Sequence, residues 1–220
     1  ASRLNEAVGL ARGKYFARMD QDDISHPERL ERQVEFLESN PTIDVVGSRC
    51  LLIDGKGHAA GVLEFPSEHG DICRRPWRGI LLPHPTWLGK TQGFRHHPYT
   101  SPGRYFCEDQ DLLLRAHRES TFGALPEPLL AYRVRGPIPT GKLLRTRATL
   151  ACLQFRYFFH KRDFLDGLKA VCVFVGKSGH DLVAPLLGQQ GRSSYGGVPL
   201  LDLTENESEL WRQVLPKYQE

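Results

Sequence analysis

The sequence Gly13-Lys-Tyr-Phe-Ala-Arg-Met-Asp20-Gln-Asp22-Asp23-Ile-Ser25-His-Pro27-Glu28 places a short apolar run directly before three carboxylates. The apolar run predicts a buried strand, and the carboxylates predict a turn at its end. Ser25 and Glu28 form a capping-box pattern, which predicts the start of a helix. We therefore expect the order strand, acidic turn, helix, and open α/β sheets bind ligands at such turns.

The three aspartates of this turn repel one another unless water screens them or a divalent cation lies between them. Mg²⁺ and Mn²⁺ accept one or two carboxylates and complete their coordination with water and substrate phosphates. One interpretation is thus a metal site that contacts a diphosphate, and the other is a solvated acidic turn. An EF-hand loop is excluded, because Ser25 stands where that loop needs glycine and Pro27 interrupts its ligand region.

The overall composition is typical of a globular domain with a core of its own. The 220 residues are 40% hydrophobic and 25% charged, with a net charge of only +3, which does not favour a nucleic-acid partner. Five scattered cysteines without a CxxC pair favour reduced thiols in the cytoplasm over disulfides or a zinc site. We recognise neither a signal peptide nor an apolar run of membrane-spanning length.

A second acidic segment, Glu108-Asp-Gln-Asp111, precedes the apolar run 112–114. Acidic residues suit a helix amino terminus, so Glu108 and Asp109 are either caps or a catalytic pair at a helix start. Between the two acidic segments, the pattern predicts a buried strand over 43–53, a returning strand over 59–65, a short helix over 67–75 and a proline-shaped loop over 77–87. His84, His96 and His97 are either metal ligands, contacts to a substrate or exposed loop histidines.

The last third of the chain differs in composition. Two short strands are expected over 122–125 and 129–134, and residues 136–177 then carry eight basic and two acidic side chains, a net charge of +6. Apolar stripes in that segment predict either helices packed on the domain or a basic amphipathic hairpin on an anionic membrane surface. Residues 188–197 read as a linker, and Thr204 with Glu207 predicts a capped terminal helix.

Several further motifs occur in order along the chain with the two acidic segments. They are Ala11-Arg-Gly-Lys-Tyr-Phe-Ala-Arg-Met-Asp-Gln-Asp-Asp23, Pro27-Glu-Arg-Leu-Glu-Arg-Gln-Val34, Val45-Val-Gly-Ser48, His84-Pro-Thr86, Glu108-Asp-Gln-Asp-Leu112 and Leu125-Pro-Glu-Pro-Leu129 with Tyr132-Arg133. With these, the chain resembles the family 2 glycosyltransferases of the GT-A fold over about residues 4–135.

That resemblance implies roles for particular residues. Asp20, Asp22 and Asp23 match the metal-binding DxD motif, and Asp109 matches the general base of inverting members, with Glu108 orienting or capping. The implied substrate-binding residues are Asp20, Arg18, His84 and Arg135. Arg135 stands where some members carry a metal-binding histidine, and an arginine there suits direct contact with a diphosphate.

The resemblance also implies an organisation and an activity. We expect an α/β, GT-A-like mixed sheet with flanking helices that lacks its first nucleotide-binding strands, followed by a helical extension. The expected divisions are a partial catalytic domain over 1–135, a basic amphipathic extension over 136–187, and a linker with a short helix over 188–220. The expected activity is metal-assisted, inverting transfer of a sugar from a nucleoside diphosphate sugar to a hydroxyl of a saccharide or lipid-linked glycan, with Mg²⁺ or Mn²⁺.

Two other functions stay open at this point. The chain is alternatively a truncated, non-catalytic relative that acts as an interaction module. A metal phosphoesterase is a third option, because acidic turns serve those enzymes too, although their sites usually gather carboxylates and histidines around two ions. For a transferase that uses cytoplasmic donors we expect a location in the cytoplasm, at the inner face of the membrane if the basic extension contacts lipid.

Overall fold

The computed structural model describes residues 1–102, 107–134, 136, 139–183, 194–195 and 198–218. The helices are α1 (Ser2–Leu10), α2 (Arg29–Ser39), α3 (His69–Ile72), α4 (Thr91–His96), α5 (Glu108–Ala116), α6 (Thr140–His160), α7 (Phe164–Val183) and α8 (Glu205–Arg212). The strands are β1 (Tyr15–Ala17), β2 (Ile24–Ser25), β3 (Val45–Ile53), β4 (Ala59–Leu63), β5 (Leu88–Lys90), β6 (Phe122–Arg133), β7 (Ser194–Tyr195) and β8 (Val198–Leu201). Short 3₁₀ turns cover Pro76–Arg78, His84–Thr86 and Leu215–Tyr218.

Strand β3 is the centre of a mixed sheet. Strand β6 runs parallel to it along one edge, from the pair Val45 and Phe122 to the pair Ile53 and Arg133. Along the other edge of β3, β5 pairs antiparallel with its first residues and β4 pairs antiparallel with its last residues. Eight of the nine residues of β3 are buried, as a strand covered on both faces requires. The expected α/β mixed sheet is thus confirmed, with the 43–53 strand and its hairpin to β4.

The remaining strands extend this sheet from its two ends. Strand β1 pairs with β5, β2 pairs with β6, and β8 pairs with the outer edge of β4. The two short strands expected over 122–125 and 129–134 are one strand, β6, whose register with β3 shifts near Arg49, opposite the two prolines of the Leu125–Leu129 segment. A β-bulge of this kind lets prolines sit in a sheet without breaking it.

Helix α2 differs from the prediction in its start and in its buried face. The capping box expected from Ser25 and Glu28 is wrong: Ser25 lies in β2, and the helix begins at Arg29 without a side-chain cap. The helical spacing of Leu30, Val34 and Leu37 predicts that these three form the buried face. Instead, Leu30 is 49% exposed, and the buried residues are Arg29, Gln33 and Leu37. The buried face thus carries two polar side chains, both of which are hydrogen-bonded.

The carboxy-terminal part contains two long antiparallel helices and a segment that returns to the sheet. Helices α6 and α7 pack against each other, and within the described residues no helix is both long and apolar enough to cross a bilayer. Most of the expected linker 188–197 lies outside the described residues. Beyond it, Trp211 packs with Ile24 and Leu51 in one core cluster, and the capping box of Thr204 with Glu207 is confirmed.

Candidate active site

The acidic turn is held at the end of β1 by the last residue of β6. The backbone N–H of Arg133 donates to Asp23 Oδ1 at 3.0 Å, and Arg133 Nε donates to the backbone oxygen of Asp22 at 3.1 Å. Asp23 is 7% exposed, and its other oxygen, Oδ2, is buried without a hydrogen-bond partner. Burial raises the pKa of Asp23 to about 6, because the charged carboxylate loses its hydration. Asp23 thus anchors the turn from inside.

Asp20 and Arg18 form an ion pair on the outer side of the same turn. Arg18 Nη2 lies 2.6 Å from Asp20 Oδ1, with the Arg18 side chain 13% exposed and that of Asp20 37% exposed. The backbone N–H of Arg18 donates to Trp87 O at 2.8 Å, which fixes the direction of the chain as it leaves β1. Arg18 Nη1 is buried without a hydrogen-bond partner. The turn therefore holds the positively charged guanidinium of Arg18 in a fixed position beside its carboxylates.

Arg29 joins the acidic turn to the 3₁₀ turn that carries His84. Its side chain is 2% exposed, and Nη1 and Nη2 donate to Pro85 O and Arg18 O, each at 3.0 Å. One planar guanidinium thereby fixes the spacing of two loops that are distant in sequence. Sequence reasoning missed this role, because arginine on an amphipathic helix is usually exposed.

The second acidic segment begins α5, as expected. Asp109 is partly buried in its first turn, and burial raises the pKa of Asp109 to about 6, with the charge of Glu108 adding to the effect. The amide of Gln110 accepts from the backbone N–H of Ile80 at 2.9 Å and donates to its carbonyl at 3.0 Å. These two bonds hold the start of α5 against the loop that leads to His84.

Tyr99 connects the two acidic segments. Its hydroxyl forms a 2.9 Å hydrogen bond with His84 Nε2, and both side chains are buried. Burial raises the pKa of the Tyr99 phenol, the Arg18 charge lowers it, and the charges of Asp109 and Glu108 raise it. Burial and the Arg18 charge also lower the pKa of His84, which is therefore neutral at pH 7. The pKa of the Tyr99 phenol thus responds to charges from both acidic segments. The sequence showed Tyr99 only as part of a turn-rich segment.

The aspartates supply oxygen ligands of the kind that Mg²⁺ and Mn²⁺ prefer. The aspartates do not form a compact three-ligand cluster by themselves. Among the described residues, three His, Cys, Asp or Glu ligand atoms lie within 4.8 Å of one another only at His96, His97 and Glu119. Partly exposed Asp20 and Asp22 fit a cation that keeps water and phosphate oxygens in its other positions. Arg135, the remaining expected contact, lies outside the described residues.

Comparison with known proteins gives consistent matches. The family model described as "Glycosyl transferase family 2" matches residues 1–99. The O-antigen biosynthesis glycosyltransferase WbnJ of Escherichia coli is 30% identical over 175 residues, which are 78% of this chain and 67% of WbnJ. The putative glycosyltransferase EpsE of Bacillus subtilis is 36% identical over 138 residues, 61% of this chain and 48% of EpsE.

Other matches cover a smaller share of the similar protein than the WbnJ match does. The uncharacterized glycosyltransferase MJ1057 of Methanocaldococcus jannaschii is 34% identical over 61% of this chain and 46% of its own length. The chain thus spans about half the length of EpsE and MJ1057. A crystal structure of S. aureus TarS 1-349 superposes with a TM-score of 0.48 and 15% identity, covering 97% of this chain and 58% of that one.

Proposed function

The chain belongs to glycosyltransferase family 2, and we propose that it moves a sugar from a nucleoside diphosphate sugar to a hydroxyl of a glycan or lipid-linked acceptor. Its mixed sheet with flanking helices is GT-A-like. The name of WbnJ refers to O-antigen biosynthesis, which supports an acceptor built of sugars. We further propose that transfer inverts the anomeric configuration and is assisted by Mg²⁺ or Mn²⁺.

The observation that carries this proposal is the shared environment of Tyr99. Its hydroxyl bonds to His84, whose turn is tied to the acidic turn by Arg29. The next residue, Thr100, donates to Asp111 in the second acidic segment. This connection between two acidic segments about ninety residues apart supports the proposal that both face one cleft, as a reaction between a phosphate-bearing donor and a hydroxyl acceptor requires. Isolated acidic turns on separate faces would not share a neighbour in this way.

On the acceptor side, Asp109 is the proposed general base. Its carboxylate takes the proton of the acceptor hydroxyl as that oxygen bonds to the anomeric carbon. The bond from that carbon to the diphosphate oxygen breaks, and its electron pair leaves with the nucleoside diphosphate. A pKa near 6 suits this task, because Asp109 is mostly ionised at pH 7 and still more basic than an ordinary aspartate. One base opposite the leaving group gives inversion.

On the donor side, Asp20 and Asp22 are the proposed ligands of the divalent cation. When bound, the cation supplies Lewis-acid stabilisation of the leaving diphosphate. Arg18 is held beside these carboxylates by its ion pair with Asp20, and its guanidinium is the proposed source of positive charge for the diphosphate. Asp23 is also an expected ligand, but it is buried and accepts a hydrogen bond from the Arg133 backbone. We therefore assign it the role of anchoring the turn.

The decisive experiment compares the chain with its Asp109→Asn variant in a donor-turnover assay with Mn²⁺ and a panel of nucleotide sugars. General-base catalysis contributes about 10²- to 10⁴-fold, so we expect a loss of that size in kcat with little change in donor affinity. The acid limb of the wild-type rate profile should titrate near pH 6, since Asp109 must be deprotonated.

Asp71→Asn is the matched control, because Asp71 is an exposed carboxylate of α3 outside the proposed site. It should leave turnover unchanged. Folded Asp109→Asn protein with wild-type turnover would contradict the proposal. If wild-type chain binds neither uridine diphosphate nor Mn²⁺ in calorimetry and turns over no donor, the alternative of an interaction module gains support.

We also propose peripheral contact with an anionic membrane through α6 and α7, at the cytoplasmic face where nucleotide sugars are used. Large apolar side chains point outward here, with Phe159 60%, Leu165 65% and Leu168 60% exposed. An open depression of about 690 Å³ lies among aromatic and basic side chains, namely Phe155, Arg156, Phe159, His160, Arg162 and Phe164. Apolar groups beside cations suit insertion next to anionic lipid headgroups.

A further inference from the structure

A group of three potential metal ligands lies away from the acidic turn, where α4 ends. The helix stops at His96, and His97 leaves helical geometry with φ −113° and ψ 72° while its N–H still donates to Gly93 O at 2.9 Å. Neighbouring side chains on a continuous helix point in different directions. Here the change of backbone direction brings the two rings to a centroid distance of 4.7 Å.

The third member, Glu119, comes from the turn between α5 and β6. That turn is fixed by the backbone N–H groups of Glu119 and Ser120, which both donate to Ala116 O at 2.8 Å. Glu119 Oε2 lies 3.8 Å from His96 Nε2 and 3.7 Å from His97 Nε2. One carboxylate oxygen therefore faces two imidazole nitrogens from an independent element of the fold.

These separations are close to those of ligands around a tetrahedral ion. Bonds of about 2.0–2.1 Å at tetrahedral angles place ligand atoms about 3.4 Å apart. The three ligand atoms here all lie within 4.8 Å of one another, so side-chain rotations that bring them closer would complete the geometry. Two imidazoles with one carboxylate suit Zn²⁺, Co²⁺ or Ni²⁺, whereas Mg²⁺ and Ca²⁺ prefer all-oxygen sites.

We propose that His96, His97 and Glu119 form a binding site for a transition-metal ion of the Zn²⁺ class, distinct from the acidic turn. His96 and Glu119 are 75% and 62% exposed in their side chains and His97 is 12% exposed, so the ion would be held at the surface with a fourth position open to solvent. Water or a group from another molecule would occupy that position.

Such an ion would fasten two elements that border the proposed active site. His97 lies two residues before Tyr99, and Glu119 follows α5, whose first turn carries Asp109. Thr100 Oγ1 already donates to Asp111 of α5. Arg115 of the same helix also donates to Pro98 O at 2.7 Å, so the loop and the helix are already joined by hydrogen bonds. Because the ion binds only where three ligands converge, it should favour the folded state by linkage.

The test is Zn²⁺ titration of the metal-free chain against a chromophoric chelator, with excess Mg²⁺ present to occupy oxygen-rich sites. We expect one equivalent of Zn²⁺ to bind and the midpoint of thermal unfolding to rise. Mutating a residue that hydrogen-bonds to a metal ligand typically lowers metal affinity about 10- to 100-fold. Replacing a ligand itself should lower Zn²⁺ affinity at least as much, in each of His96→Gln, His97→Gln and Glu119→Gln. Co²⁺ should give visible absorption bands that the same variants lose.

His58→Gln is the matched control, because His58 is an exposed histidine that lies 3.3 Å from a carboxylate oxygen of Asp54, and the described residues supply no third ligand within 4.8 Å. It should bind Zn²⁺ like the wild type. The proposal is overturned if the three variants retain wild-type affinity in a folded state, or if His58→Gln or Asp22→Asn removes the site instead. Loss of donor turnover in Asp109→Asn bears on the transferase proposal alone and leaves this site untouched.

Discussion

Arg29 sets the distance between the acidic turn and the His84 turn. Its two terminal nitrogens donate to two backbone carbonyls, a buried one at Pro85 and a part-buried one at Arg18. An unpaired buried carbonyl costs free energy, so the guanidinium stabilises both loops by hydrogen bonding as well as by packing. The side chain touches no proposed substrate group, yet it positions Arg18 and His84 relative to each other.

Replacing Arg29 with Met should lower the free energy of unfolding by about 1–3 kcal/mol, the cost of leaving a buried polar group unsatisfied. Urea unfolding followed by fluorescence measures this change. Arg32→Met is the control on the same helix, because the Arg32 side chain is 36% exposed and pairs with Glu28 and Glu127 near the surface. It should cost at most about 1 kcal/mol. Equal effects of the two substitutions would contradict the role of Arg29.

The sequence allows the acidic residues of the site to be recognised, but not the side chains between them. Asp20 and Asp22 stand together after an apolar run, and Asp109 stands at a helix start, so local patterns suffice to mark them. The contact between Tyr99 and His84 depends on how distant segments pack. No local pattern shows it, because a tyrosine in a turn-rich segment has the same local signature whether it is buried or exposed.

At the scale of the helix and strand, local sequence patterns predict a helix start correctly where the same backbone groups do not pair with a neighbouring strand. Thr204 and Glu207 form the expected capping box. The same pattern at Ser25 and Glu28 fails, because Ser25 pairs with Leu130 of β6 and the chain is still extended there. The face of α2 was misjudged for a related reason: Gln33 is buried because its amide donates to Thr86 O at 2.7 Å. Tertiary hydrogen bonds thus override both patterns.

Helices α6 and α7 have an unusually apolar exposed surface. Vesicle sedimentation tests whether this surface binds a membrane. The chain should sediment with vesicles that contain phosphatidylserine and much less with phosphatidylcholine alone, and added salt should weaken the binding. Substituting Phe159 and Leu165 together by Ser should reduce the bound fraction severalfold, because buried apolar area contributes to the affinity.

The control for this test is Leu10→Ser, which removes an apolar side chain that is 75% exposed on α1. It should sediment like the wild type. Equal sedimentation with neutral and anionic vesicles, or an equal loss in Leu10→Ser, would contradict membrane contact through α6 and α7.

On the scale of the whole molecule, the last described residues complete the core around β2 and β3. The indole N–H of Trp211 donates to Pro128 O at 2.7 Å, and its ring lies edge-on to His26 at 5.3 Å. His26 Nε2 donates to Leu210 O at 3.0 Å, while its Nδ1 accepts from the N–H of Glu28. The acidic turn, the start of α2 and α8 are therefore joined through one imidazole. The sequence predicts α8 as a short capped terminal helix but not these contacts, because its partners lie more than eighty residues away.

Removing this contact should destabilise the entire fold. Trp211 is 1% exposed, and truncation of a buried Trp typically costs about 3–5 kcal/mol, so Trp211→Ala should lower the free energy of unfolding by that order. Thermal unfolding followed by circular dichroism measures it. Tyr218→Ala, at a residue that is 49% exposed, should change stability little. A small effect of Trp211→Ala would mean that α8 does not contribute to the common core.

The pairing of β8 with β4 has a consequence for how the chain is made. Until residues 200 and 201 arrive opposite Val62 and Leu63, β4 presents unpaired N–H and C=O groups along its outer border. Such borders recruit strands from other molecules and promote aggregation. During synthesis, more than a hundred residues separate β4 from the strand that covers it, so this border stays open to intermolecular pairing over that interval.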